Sequence, residues 1–213
     1  MPTRKIDTPH GRVSTALDGP SGGPVLALAH GAGGNMHTAF LDGFAAGVAA
    51  TGVACLRFNF AYAEAGKRSP DREPALRAVW SAAFDRAREV GDPVWAGGKS
   101  LGGRIASMMT ADGEMEPRGL VLVGYPLHPP GKPERLRDAH LDRIPVPMLF
   151  LQGTSDPFAT WDLLTGVVDQ LDGAVLHPIE GGDHSFRVRG AGRDDVGTGT
   201  ALGEIAGRFV LER

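Results

Sequence analysis

The sequence predicts a doubly wound α/β fold, a mostly parallel sheet with helices on both faces. Short apolar runs recur at residues 25–29, 53–58, 119–124 and 148–152, as expected of strands buried on both sides. Between them lie segments whose apolar residues repeat at helical spacing. Sharp glycine turns follow the 25–29 run, His30-Gly31-Ala32-Gly33-Gly34, and the shorter run 93–96, Gly97-Gly98-Lys99-Ser100-Leu101-Gly102-Gly103. Strands alternating with helices along a chain give a parallel sheet with right-handed crossovers.

Taken in order, residues 12–17 alternate weakly and read as an edge strand. The cluster Asp18-Gly19-Pro20-Ser21-Gly22-Gly23-Pro24 is a turn. Residues 25–29 form the first buried strand. A helix fits 38–50, with Phe40, Leu41, Phe44, Ala45 and Val48 on one stripe, and Gly52 ends it. Strand 53–58 follows, then a polar loop, 59–74. A helix over 75–90 carries Leu76, Val79, Trp80, Ala83, Phe84 and Ala87 on its apolar face. Strand 93–96 leads into Ser100, and a helix over 103–110 leads out. Strands are expected at 119–124, 148–152 and 175–179, and helices at 159–171 and 201–211. Residues 180–200 read as a glycine- and charge-rich loop.

A chain of 213 residues suits one domain with a substantial core, and no repeat or linker divides 1–213. Net charge is −3, so nothing argues for nucleic acid or an anionic membrane surface as a partner. Cys55 is the only cysteine, which excludes an internal disulfide and a cysteine-based metal site, and its apolar surroundings read as core. No paired His, Asp or Glu spacing suggests a metal, and no glycine-rich dinucleotide motif follows a strand, so no cofactor is expected. The first residues lack the apolar stretch of a signal peptide, and no run approaches a membrane span. A cytoplasmic location is the expectation.

Parallel sheets of this kind carry their sites at the carboxyl ends of the strands. Gly98-Lys99-Ser100-Leu101-Gly102 fits G-x-S-x-G, in which a serine sits on a strained bend between strand and helix. The glycines are required because strand and helix pass so close that side chains would collide. Asp156 and His184 likewise stand just beyond apolar runs. A serine hydroxyl needs a base to take its proton, and His184 supplies one. Asp156 would fix the imidazole tautomer and stabilise the imidazolium. Asp183, beside the histidine, competes for that role, but Asp156 follows the right strand. The glycine-rich turn after the 25–29 run leaves backbone N–H groups free for a developing oxyanion. Leu101 N–H, at the helix start, is a second donor.

Several stretches carry a resemblance to a known superfamily: His30-Gly31-Ala32-Gly33, Arg57-Phe58-Asn59-Phe60, the Ser100 turn through Arg104, Tyr125-Pro126-Leu127-His128-Pro129-Pro130-Gly131-Lys132 and Asp183-His184-Ser185-Phe186. With the chain order Ser, Asp, His, the sequence resembles the α/β-hydrolase superfamily over nearly its whole length. Within it, the chain is similar to the small, cap-less, dienelactone-hydrolase-like group. Several of these stretches are more similar still to the branch holding a testis-expressed hydrolase-like protein and a histone-acetyltransferase-complex subunit. The resemblance implies the α/β-hydrolase fold with a minimal or absent cap, Ser100, Asp156 and His184 as a catalytic triad, and Ala32 and Leu101 as oxyanion donors. Ala61 departs from the branch, which often carries proline there. The branch supplies no substrate.

The resulting expectation is a serine hydrolase that cleaves a small ester or thioester through an acyl-enzyme on Ser100, with a small-molecule acyl compound as partner. The alternative is a catalytically silent binding or scaffold protein on the same fold. His30 reads as a structural turn residue. Lys99 either tunes the electrostatics at Ser100 or is a solvated neighbour. Glu64 and Arg68 either border the site or lie on the surface. Tyr125 and His128 are candidate substrate-binding residues. Residues 125–147, with a short helix over 134–143, are expected to form a partial cover over the cleft.

Overall fold

The computed structural model describes residues 3–213. An eight-stranded sheet runs in the order β1-β2-β4-β3-β5-β6-β7-β8. Its strands are β1 (Thr3–Thr8), β2 (Gly11–Asp18), β3 (Val25–Ala29), β4 (Ala54–Phe58), β5 (Val94–Lys99), β6 (Leu120–Val123), β7 (Met148–Gly153) and β8 (Ala174–Ile179). The first two join antiparallel and the remaining six run parallel. The helices are α1 (Ala39–Ala50), α2 (Ala61–Glu64), α3 (Glu73–Val90), α4 (Leu101–Ala111), α5 (Trp161–Val168) and α6 (Asp195–Glu212).

The continuous apolar runs are the parallel strands, and each serves two cores. On β3, Val25, Ala27 and Ala29 face one layer with Trp80 and Phe84 of α3 and Ile105 and Met109 of α4. Leu26 and Leu28 face the other, with Phe44 and Val48 of α1 and Leu202 and Phe209 of α6. Period-two side-chain alternation explains the division. The α/β-hydrolase architecture expected from the sequence is thus present.

Three local expectations change. Residues 12–17 are not an edge: β2 is covered on its outer side by β1, whose polar, largely exposed Thr3–Thr8 hides its strand character. The loop over 59–74 contains the single turn α2, anchored by Glu64. The Glu64 carboxylate accepts from Ser14 N–H at 3.1 Å, Ser14 Oγ at 2.9 Å and Asn59 Nδ2 at 3.0 Å, and pairs with Lys5 at 3.2 Å. Burial acts to raise its pKa, but these donors prevail and hold it near about 2. The third change is in α6, which begins at Asp195 rather than near 201. Asp194 caps it by accepting from Gly197 N–H at 2.7 Å.

The α6 glycines read as loop signals in the sequence, yet they serve helix packing. A Cβ on Gly199 would lie 2.2 Å from the Phe40 carbonyl oxygen, and one on Gly203 2.1 Å from that of Phe44. From the α1 side, Gly43 and Gly47 meet the carbonyls of Val196 and Thr200 at 2.2 and 2.1 Å. The two helices therefore touch backbone to backbone. Gly203→Ala should force them apart and cost about 1–3 kcal/mol, as over-packing does. Gly166→Ala, in α5 where a Cβ meets nothing within 4 Å, should instead gain up to about 1 kcal/mol from helix propensity. Denaturant unfolding of both variants checks the pair.

Candidate active site

Strand β5 ends at Lys99 and α4 begins at Leu101, leaving Ser100 alone to reverse the chain. It does so at φ 50° and ψ −112°, a conformation an L-residue adopts only under constraint. The constraint is close approach. A Cβ on Gly98 would sit 2.5 Å from Gly103 N, and one on Gly102 2.6 Å from Ala29 Cβ. Ser100 is fixed on both sides of the turn: its N–H donates to Val123 O at 2.9 Å, and its own carbonyl accepts from Arg104 N–H at 3.0 Å.

The structure brings Ser100, His184 and Asp156 together. Ser100 Oγ lies 2.9 Å from His184 Nε2, and His184 Nδ1 lies 2.7 Å from Asp156 Oδ2. A carboxylate only accepts, so Nδ1 carries the ring proton and Nε2 offers its lone pair to the serine. Asp156 is wholly enclosed, with its side chain 0% exposed. Three donors satisfy it: His184, Gln152 Nε2 at 2.7 Å to the same oxygen, and Phe158 N–H at 2.8 Å to Oδ1. The Phe158 ring also stacks on the imidazole, with centroids 4.2 Å apart. Asp183 does different work. Its Oδ1 accepts from Ser185 N–H at 2.7 Å and Arg187 N–H at 3.0 Å, which folds the histidine loop.

The turn after β3 lies alongside. A Cβ on Gly31 would stand 3.6 Å from Ser100 Cβ. Neither Ala32 N–H nor Leu101 N–H donates to an acceptor among the described residues. Leu101 is the first residue of α4, where the amide has no intrahelical partner. Buried neighbours hold this turn. His30 Nδ1 donates to Gly31 O at 2.8 Å, while Nε2 accepts from Phe60 N–H at 3.1 Å. Burial pulls the His30 pKa down to about 4, so the ring is neutral and structural. Arg57, buried on β4, donates to Asp18 at 2.9 Å and to Met36 O at 2.8 Å, and it also pairs with Asp42. Asn59 Oδ1 accepts from Met36 N–H at 2.9 Å. The Arg57-Phe58-Asn59-Phe60 stretch therefore clamps both ends of the turn.

A cleft of about 490 Å³ opens over Ser100 and His184. Its walls are the start of α1, with Thr38, Phe40 and Leu41, the Phe158 ring, and the loop before α6 with Ser185, Arg187 and Arg193. Lys99 and Ala32 line it too. Glu64 and Arg68 do not line it.

Tyr125 and His128, expected as substrate contacts, line no part of this cleft and are buried, 1% and 2% exposed. Tyr125 Oη donates to Arg137 O at 2.7 Å, and its N–H donates to Gln152 Oε1 at 2.7 Å. His128 Nε2 accepts from Thr160 N–H at 2.9 Å, and His128 N–H donates to Phe158 O at 2.9 Å. The side-chain bonds turn both rings into the fold, while the main-chain amides support Phe158 and, through Gln152, Asp156 from behind. Residues 125–147 are accordingly no cover. The expected helix over 134–143 shrinks to one 3-10 turn, Leu141–Arg143. A short helix is costly to nucleate, and here fixed partners take its backbone: Arg137 N–H bonds Leu127 O at 2.8 Å. A second serine–histidine pair, Ser107 Oγ with His140 Nε2 at 2.8 Å, fastens this segment to α4. Ser107 is 0% exposed and sits mid-helix, so it has no access to a substrate.

Gln152 has no sequence signal beyond its place at the end of a strand, yet it is fully buried between Asp156 and the Tyr125 amide. Gln152→Met keeps the bulk but removes both bonds. The expected outcome is a loss of about 1–3 kcal/mol for the orphaned buried groups, measured by urea unfolding.

Known structures with similar folds span nearly the whole chain. Est1E from Butyrivibrio proteoclasticus is 16% identical, with 100% of this chain and 98% of that one covered and a TM-score of 0.78. A serine hydrolase without a lid from Xanthomonas campestris is 21% identical over 98% and 94%, with a TM-score of 0.72. A dienelactone hydrolase from Anabaena variabilis is 17% identical over 99% and 96%, with a TM-score of 0.75. At these identities the likeness concerns the fold. The alpha/beta hydrolase domain family matches residues 23–205, and the chain belongs to that family.

Proposed function

We propose that the protein is a serine esterase or thioesterase that hydrolyses a small acyl compound through an acyl-enzyme on Ser100, with His184 and Asp156 completing the triad. The observation that carries this reading is the continuous hydrogen-bonded line from Ser100 Oγ through the imidazole to a fully enclosed carboxylate, opening onto a cleft. In the first step Ser100 Oγ attacks the acyl carbon as its proton passes to His184 Nε2. The tetrahedral oxyanion is met by the N–H groups of Ala32 and Leu101, and loss of one such donor typically costs ~3 kcal/mol. His184 returns the proton to the departing alcohol or thiol. A water molecule, deprotonated by the same nitrogen, then releases the acid.

Cleft shape supports a small or extended acyl group: the walls are Phe40, Leu41 and Phe158, and nothing from residues 125–147 covers them. Among the similar structures, Est1E is known with ferulic acid bound, an aromatic carboxylic acid that would suit such walls. The sequence likeness to the dienelactone-hydrolase-like group and to the testis-expressed branch adds a lineage to the reading but no substrate. Among the described residues no helix is long and apolar enough to cross a membrane, and the one cysteine is buried and unpaired. An unpaired thiol fits a reducing compartment, and a cytoplasmic setting is part of the proposed reading.

Fluorophosphonate labelling followed by a panel of short-chain esters and thioesters tests the proposal. The wild-type protein should label at Ser100, and Ser100→Ala should not label while remaining folded. Labelling that survives in Ser100→Ala would move the nucleophile elsewhere, and a wild type that never labels would favour a silent binding protein. Asp156→Asn should lower turnover by about 10⁴-fold through the wrong imidazole tautomer. Asp183→Asn should cost far less, because it loosens the loop without touching the ring; the reverse order would exchange the two assignments.

A further inference from the structure

We propose that Lys99 is a positioning residue: its ammonium holds the main-chain carbonyl of His184 and so keeps the imidazole in register with Ser100. The inference rests on the hydrolase reading above for its effect on activity, and on geometry alone for the contact.

Lys99 is the last residue of β5, immediately before Ser100. Its Nζ donates to the main-chain oxygen of His184 and stands over the Phe186 ring, 5.0 Å from the centroid. The site is shaped for it. Gly124, at φ 63°, sits where a Cβ would come within 2.8 Å of Nζ. Phe186 adopts φ 62°, rare for a bulky side chain, and its ring stacks on Phe40 at 5.3 Å. One strained residue, Phe186, and one position left open by glycine, Gly124, thus surround the ammonium.

The histidine loop explains why such a tie is needed. Its first part is fastened to the loop after β7, by Ser155 N–H to Gly182 O at 2.9 Å and Gly181 N–H to Thr154 Oγ1 at 2.8 Å. The bonds of Asp183 to Ser185, Phe186 and Arg187 are internal to the loop. Lys99 is the tie from the nucleophile's own strand, so it sets the position of His184 relative to Ser100 directly. Tuning the ring's charge is a poor account of the same contact. A cation beside a base that must accept a proton opposes that step, and what the ammonium touches is the peptide oxygen.

The groups facing Lys99 are the Asp156 carboxylate from the loop after β7 and Asp183 and His184 from the loop after β8. The turn after β3 presents Gly31 backbone, and the β6 end presents Gly124. Desolvation pulls the Lys99 pKa down to about 8, with Asp156 and Asp183 opposing the fall. Two consequences follow. Above about pH 8 the amine becomes a weaker donor and loses its attraction to the Phe186 ring, so turnover should fall. Stability should move the other way. The folded pKa lies below the unfolded 10.5, so the unfolded state binds more protons between these values and stability rises with pH across that window.

The test uses the full chain, wild type and Lys99→Met. Both are measured for the rate of fluorophosphonate labelling and for kcat/KM on a short-chain nitrophenyl ester, from about pH 6 to about pH 10. Wild type should show an alkaline fall centred near pH 8. Lys99→Met should be about 10- to 100-fold slower at neutral pH, the range of one charge-assisted hydrogen bond, should lack the alkaline fall, and should be at least as stable to urea at pH 7. A purely structural lysine would lower stability together with activity. Lys99→Met with wild-type rate and wild-type alkaline limb overturns the proposal. A readout independent of turnover, and of how the variant folds, is the low-field NMR resonance of the His184 Nδ1 proton shared with Asp156, followed in the wild type. It should shift with a midpoint near pH 8, and a resonance unmoved across that range also overturns the proposal. If the wild type neither labels nor turns over ester, the hydrolase reading fails and this titration alone decides the role of Lys99.

Discussion

The near-collision of β5 with α4 at Ser100 governs this molecule. Gly98 and Gly103 approach until a side chain on either would strike the other's backbone at 2.5 Å. That distance leaves Ser100 no ordinary conformation and puts it at φ 50°. The same geometry frees the Leu101 amide at the helix start and carries the serine above the carboxyl edge of the sheet. Strand β3 runs beside β5 in parallel register, Ala29 opposite Gly98, so the turn after it is delivered to the same spot. The free amides of the two turns and the Ser100 hydroxyl are therefore set by one packing event.

Around this constraint the polar groups are arranged so that few are left unsatisfied. Asp156 is fully enclosed, and an enclosed carboxylate without partners would take up a proton. Histidine, Gln152 and the Phe158 amide supply those partners. Gln152 is itself held by the Tyr125 amide, and Phe158 by His128. The line that begins at Ser100 thus runs through the loops after β8 and β7 to the segment after β6, with each member limiting the freedom of the next. Arg57 plays the equivalent part under the β3 turn, where its bonds to Asp18 and Met36 O join the sheet to the entrance of α1. A buried arginine is costly unless all its donors are used, which ties this position to the turn's exact path.

Much of this was legible in the sequence because its causes are local. Continuous apolar runs marked the parallel strands, and glycines flanking a serine marked the strained turn. Asp156 was separable from Asp183 because strand ends are where side chains reach a common edge. The sequence failed where the cause is non-local. The α6 glycines looked like a loop because their purpose, backbone contact with α1, lies some 150 residues away in the chain. The polar β1 strand is defined by pairing with β2 rather than by its own residues. Tyr125 and His128 follow the right strand, but strand-end position does not say which way a ring turns. Their hydroxyl and imidazole found partners in Arg137 O and the Thr160 amide and so point inward.

The glycine contact between α1 and α6 also bears on the site. The loop carrying His184 must bridge from β8 to α6, and both of its ends are set by close backbone approach. At the β8 end, a Cβ on Gly153 would lie 2.2 Å from Gly182 O. At the other, α6 is locked to α1 by Gly199 and Gly203, and α1 itself supplies Phe40 and Leu41 to the cleft wall. Phe186 stacks on Phe40 midway. Cleft width and histidine position are therefore linked through one helix pair. A bulky residue at that contact would widen the wall and displace His184 together. No residue of 125–147 lines the cleft, so the same glycines that hold two helices together fix the width of the space over Ser100.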